Sequence, residues 1–181
     1  RENSSVKTCS FTEGGKEWMT MTKDNGTKEK PYLALSDTDR KILESYRTMI
    51  PNLGEYLGEG YEIILHSLEN LQHSVIANVN GHYSGRANGA PITDFALSML
   101  ARLEHDKNHS SVCYMNRSKT GVSLRSSTIP IMGENQRIIG LICINFYTNI
   151  SISQLISKFQ VPQSSLQPET GEIRENFAEN T

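Results

Sequence analysis

Residues 78–95 read NVNGHYSGRANGAPITDF, and no other stretch limits the fold of this chain so tightly. They leave an apolar run, pass Gly81, Gly85, Gly89 and Pro91, strand Arg86 among them, and then enter a helical pattern. A connection this long and this rich in permissive backbone is not a hairpin turn. It reads as a crossover that carries the chain from one β-rich half to another.

Both halves are visible on either side. Before the crossover, YEIILHSL (61–68) and HSVIANV (73–79) are rich in β-branched and aliphatic residues, and the polar ENLQ joins them as a hairpin. After it, SVCYMNR, VSLRSSTIPIM and RIIGLICINFY follow one another with the short connections SKTG and GENQ, as a meander does. The crossover ends in PITDFALSMLARLEHD, where Ile92, Phe95, Ala96, Met99, Leu100 and Leu103 recur at helical spacing. Upstream, SDTDRKILESYRTMI starts with Ser36 as a cap and Asp37 and Asp39 in its first turn, with Pro51 expected to kink or end it. Leu53, Tyr56 and Leu57 extend its apolar face, and SISQLISKF makes a short closing helix. Helix, two strands, helical crossover, three strands and helix predict an α+β fold: a five-stranded antiparallel sheet with its helices gathered on one face. That order resembles the one found in PAS domains.

The totals set limits on function. The chain has 181 residues, with 18 Lys and Arg against 20 Asp and Glu, a formal net charge of -2. One domain with polar tails is expected: an extension over 1–34 without order of its own, the domain over 35–160, and a linker over 161–181. The charge balance argues against a main nucleic-acid-binding surface in this stretch. Cys9, Cys113 and Cys143 form no CxxC pair and fit a reduced, cytoplasmic protein. No apolar run reaches the roughly 18 residues of a membrane span, and no signal peptide opens the chain. GGK at 14–16 lacks the Ser or Thr and the preceding strand of a phosphate loop. No metal site is expected, since His66, His73 and His82 lack zinc spacing and His105 with His109 sits in a charged segment.

Longer motifs go beyond the element order. YEIILHSLENLQHSVIANVNGHYSGRANGAPITDFALSML, followed by GVSLRSSTIPIMGENQRIIGLICINF, resembles the YheO-like PAS family over about residues 40–160. In that family an LHSL strand, an NG…GR…GAPITD-type crossover and a GLxCIN strand occur in this order. The resemblance implies the sensory part of a bacterial transcriptional regulator whose helix-turn-helix domain would follow the linker in which GEIRENFAENT stands. DNA would then be contacted only through that other domain.

In such a topology the crossover walls a pocket against the sheet, and Arg86 offers a planar donor for a carboxylate or phosphate. Its alternative is an ion pair with Asp94 or Glu62. Alternation places Glu62, Ile64 and His66 on one face of the first strand, Ile139, Leu141, Cys143 and Asn145 together on the last, and Ser123, Arg125, Ser127, Ile129 and Ile131 together before it. The candidate ligand-binding set is therefore Arg86, His66, Asn78, Ser84, Asp94, Arg125, Ser127 and Asn145, for a small polar metabolite. His66 also reads as a satisfied core histidine, and Arg125 as a staple between strands. No cofactor is expected. Catalysis would need Cys113 or Cys143 with His66, and nothing in the sequence marks either thiol as activated. The first helix carries more apolar surface than one small sheet can cover, so a homodimer is expected, the alternative being a helix packed wholly on its own domain. The competing functional readings are a dimerisation module with a filled core and a cysteine-dependent enzyme.

Overall fold

The structure, a computed structural model, describes residues 32–105 and 111–157. The expected extension before residue 32 and the linker beyond 160 lie outside the described residues. Five strands form one antiparallel sheet: β1 (Tyr61–Ser67), β2 (Val75–Val79), β3 (Val112–Arg117), β4 (Ser123–Met132) and β5 (Ile138–Tyr147), in the spatial order β2-β1-β5-β4-β3. Three α-helices accompany it: α1 (Asp37–Leu57), α2 (Asp94–His105) and α3 (Ile152–Ser157).

Helix α1 begins as its sequence prescribes. Ser36 accepts from the Asp39 backbone N–H at 3.1 Å, and Asp39 Oδ2 accepts in return from the Ser36 N–H at 3.1 Å, a reciprocal capping box. Asp39 also accepts from the Glu134 N–H at 2.9 Å and from Arg137 Nη2 at 2.7 Å. One carboxylate thus pins the start of α1 to the turn between β4 and β5. These bonds, led by the Glu134 and Ser36 backbone donors, hold the Asp39 pKa below the usual carboxylate value. The helix does not stop at Pro51 but runs through it to Leu57. Pro51 and Arg47, whose carbonyl the proline cannot bond, are both exposed, on the side of the helix away from the sheet.

Two cores sandwich the sheet, so the expectation that the helices share one face is corrected. Leu43 and Ile50 of α1 meet Ile63, Leu65, Ile131 and Ile142 on one side. Leu100 and Leu103 of α2 meet Ile64, Leu141 and Cys143 on the other. Ile50, Ile63, Ile64, Leu65, Leu103 and Leu141 are fully buried, each contributing about 1.5–3 kcal/mol. Burial on both faces explains why Ile63, Ile64 and Leu65 follow one another in β1 without apolar–polar alternation.

Strict alternation fails at two bulges. Leu65 pairs with Ala77 and His66 with Val75, leaving Ile76 supernumerary in β2. Ile131 pairs with Gly140 and Met132 with Ile138, leaving Ile139 supernumerary in β5. Ile139 therefore turns to the α1 core, while Leu141 and Cys143 face the α2 core. Grouping Ile139 with Leu141, as plain alternation does, is corrected by this bulge. Tyr32, Leu33 and Ala34, expected in the extension, lie on the domain: the Tyr32 N–H donates to the Glu69 carbonyl at 2.8 Å, and Leu33 touches both cores. No helix among the described residues is long and apolar enough to cross a membrane.

Candidate functional site

The face of the sheet under the crossover is polar where a plain core would be apolar. Glu62, at 0% exposure, accepts from Asn145 Nδ2 at 2.8 Å and, through its other oxygen, from the Ser84 hydroxyl. Asn145 Oδ1 in turn accepts from the Ser126 hydroxyl at 2.8 Å. Strands β1, β5 and β4 and the crossover are thus joined by one chain of side-chain bonds. Next to it, Thr128 shares a 3.0 Å bond with the Tyr114 hydroxyl and lies 3.9 Å from Cys143 Sγ.

His66, also at 0% exposure, extends this floor along β1. Its Nδ1 lies 2.9 Å from Ser74 Oγ, and its Nε2 has no hydrogen-bond partner among the described residues. Burial, with the Arg86 charge as the second cause, lowers its pKa to about 4, so the ring is neutral at pH 7. An unpaired buried acceptor or donor of this kind costs about 1–3 kcal/mol.

The crossover lays Arg86 over this floor through a tight piece of backbone. The Arg86 N–H donates to the Gly81 carbonyl at 3.0 Å, and the Gly89 N–H to the Val75 carbonyl at 2.7 Å. A Cβ on Gly81 would run into the Arg86 carbonyl and Asn78 Oδ1, so only glycine fits there. Gly85, at φ 76°, supplies a left-handed step before Arg86. The Arg86 side chain is half-buried, and its charge is felt at His66, Cys143, Tyr114 and Tyr147. None of the ion pairs among the described residues includes it, so the expected pairing with Asp94 or Glu62 is not found. Tyr83 closes one side, stacked on Tyr147 at 4.4 Å between ring centroids. Burial, then Glu62, pushes the Tyr147 phenol up to about 12.

Of the residues singled out from the sequence, the structure places Arg86, His66, Ser84 and Asn145 about one polar patch around Glu62. Asn78 stands at the edge, its amide donating to Asn88 Oδ1 at 2.8 Å and bracing the crossover. Asp94 is exposed at the first turn of α2, outside the cluster. Arg125 and Ser127 fall on the opposite face. Arg125 is exposed and in register with Phe146, while Ser127 is in register with Ile144 of the α1 side and accepts from Cys113. Ser126 and Thr128, both buried, hold the site positions instead. With polar and apolar residues on both faces of β4, parity alone does not tell Ser126 from Ser127. Cys143 is a poor nucleophile here, because burial pushes its thiol up to about 11. Among the described residues no three His, Cys, Asp or Glu are grouped to hold a metal.

A sheet in the order β2-β1-β5-β4-β3, with a glycine-rich crossover laid over a polar face, defines a PAS domain, a sensory and regulatory module. Within that class the chain belongs to the YheO-like PAS family, whose model matches residues 36–160. It is 42% identical over 127 residues to the protein YheO of Escherichia coli K12, a match covering 70% of this chain and 53% of that protein. A protein of Haemophilus influenzae Rd is 39% identical over 143 residues, covering 79% and 62%. The chain thus matches between about half and three-fifths of the length of these relatives. Among solved structures, the PAS domain of a protein from Colwellia psychrerythraea is 18% identical with a TM-score of 0.38, covering 54% of this chain and 93% of that one.

Proposed function

We propose that this domain is the ligand-sensing and dimerising part of a cytoplasmic bacterial transcriptional regulator. A small anionic metabolite binds between crossover and sheet, held by Arg86 over the Glu62–Asn145–Ser126 floor, and the outcome passes to a DNA-binding domain of the parent protein outside this chain. The observation that carries the reading is the Arg86 guanidinium, half-buried, without an ion-pair partner among the described residues, beside a floor whose one carboxyl group is already engaged. A guanidinium in that setting is a ready partner for a carboxylate or phosphate. The ligand shifts the regulator only by binding its two states with different affinity.

The test is thermal shift and calorimetry of the full chain against a panel of organic and amino acids. Stabilisation by at least one acid is expected, with Arg86→Ala lowering its affinity about tenfold or more, as loss of a charge-assisted bond does. If no acid stabilises the protein and Arg86→Ala is silent, the ligand-sensing role is wrong. A dimerisation-only module is the second reading, favoured by Met49 and Tyr56, which stand two turns apart on α1 with 43% and 85% of their surfaces exposed.

A further inference from the structure

We infer that the ligand is a hydroxycarboxylic acid, with its carboxylate on Arg86 and its hydroxyl donating to Nε2 of His66. This rests on the ligand-sensing reading above and adds the second contact and the ligand class.

The tautomer of His66 follows from its neighbours. Ser74 Oγ lies 2.9 Å from His66 Nδ1 and 3.5 Å from the Ala90 carbonyl. A carbonyl only accepts, and that of Ala90 already takes one bond, from the Val75 N–H at 3.1 Å, leaving a lone pair for Ser74. With the serine proton given to Ala90, Nδ1 must carry the imidazole proton and donate to Ser74 Oγ. Both bonds are then made. The other tautomer turns the serine proton to Nδ1 and forfeits the Ala90 bond. Nε2 is therefore a bare, fully buried lone pair, and the nearby guanidinium favours that orientation of the ring dipole.

A lone pair asks for a donor from the ligand. Keto acids and plain carboxylates lack one at neutral pH. An ammonium group would stand beside the Arg86 charge, whose field reaches His66. A neutral polyol would leave the guanidinium without a counter-charge. A hydroxyl group on a carboxylic acid meets both demands. Tyr114 and Thr128 already bond to each other on the neighbouring strands.

Calorimetry of the full chain with matched pairs tests this: racemic lactate against propionate, malate against succinate, 3-hydroxybutyrate against butyrate, and alanine as the ammonium control. In at least one pair the hydroxy acid binds about tenfold more tightly than its partner, the worth of one hydrogen bond to a buried group. That gap closes in His66→Phe, whereas Arg86→Ala loses both members of the pair. Equal affinities within every pair, still lost in Arg86→Ala, overturn the hydroxyl assignment and leave the anion site standing. Alanine binding above lactate overturns it in favour of an ammonium. Binding of none of these acids overturns the assignment and the Arg86 site together. Should His66→Phe not fold, nitrogen-detected NMR of the unmodified protein decides: a proton on Nδ1 of His66 is expected, and a proton on Nε2 overturns the inference.

Discussion

Glu62 is buried in the middle of a sheet, yet both of its oxygens accept hydrogen bonds, from Ser84 of the crossover and Asn145 of β5. Removing it strands two polar groups and opens a cavity, so Glu62→Ala should cost about 2–4 kcal/mol in urea unfolding, with Glu62→Gln milder. His66 gives a pH signature. Its folded value of about 4 lies below the ordinary 6.5, so between the two the unfolded chain binds a proton that the folded chain refuses. Stability therefore rises with pH across that window and is lost as pH falls through it, by up to about 3 kcal/mol. His66→Phe should flatten the slope between pH 4 and 6.5 in denaturant titrations; an unchanged slope would show that His66 titrates normally. Asp39, with its lowered value, loses its contribution only below the usual carboxylate range, so the two effects separate. At this scale Arg86 and His66 were legible as chemistry-bearing residues set in apolar or glycine-rich surroundings. The role of Ser126 was not, because it is fixed by strand register rather than by residue type.

Elements were legible wherever periodicity and caps agree. Ser36 and Asp39 announce the start of α1, and the hairpin signals place every strand within a few residues of its observed ends. The bulges at Ile76 and Ile139 were not legible, since an extra apolar residue inside an apolar strand changes no pattern. Pro51 left open whether α1 kinks or ends, although Leu53, Tyr56 and Leu57 carry its apolar face to the observed end at Leu57. The crossover is the element most sensitive to a small change. Gly81→Ala forces a methyl group into the Arg86 carbonyl and Asn78, so it should lower stability by about 1–3 kcal/mol and weaken acid binding together. Calorimetry and urea unfolding on the same variant read both effects; a variant as stable as the parent would mean that the backbone yields there freely.

At the scale of the molecule, the chain order of five strands and three helices in a PAS-like antiparallel sheet follows from the sequence, whereas the placing of α1 and α2 on opposite faces does not. Apolar runs without alternation admit either arrangement, and only the contacts of Leu43 and Leu100 with different cores decide it. Homodimerisation belongs to this scale too. Light scattering after size exclusion should give a dimer, and Tyr56→Arg, on a side chain with 85% of its surface exposed, should give a folded monomer with unchanged circular dichroism. A parent protein that is already monomeric would remove dimerisation from the proposal.

The two strands that carry Glu62 and Asn145 are also the two that adjoin the flanking helices, β1 directly after α1 and β5 directly before α3. A guest that loosens or tightens this single amide–carboxyl link pulls on both ends of the folded core at once. Entrance and exit of the chain are in this sense tied with the same knot.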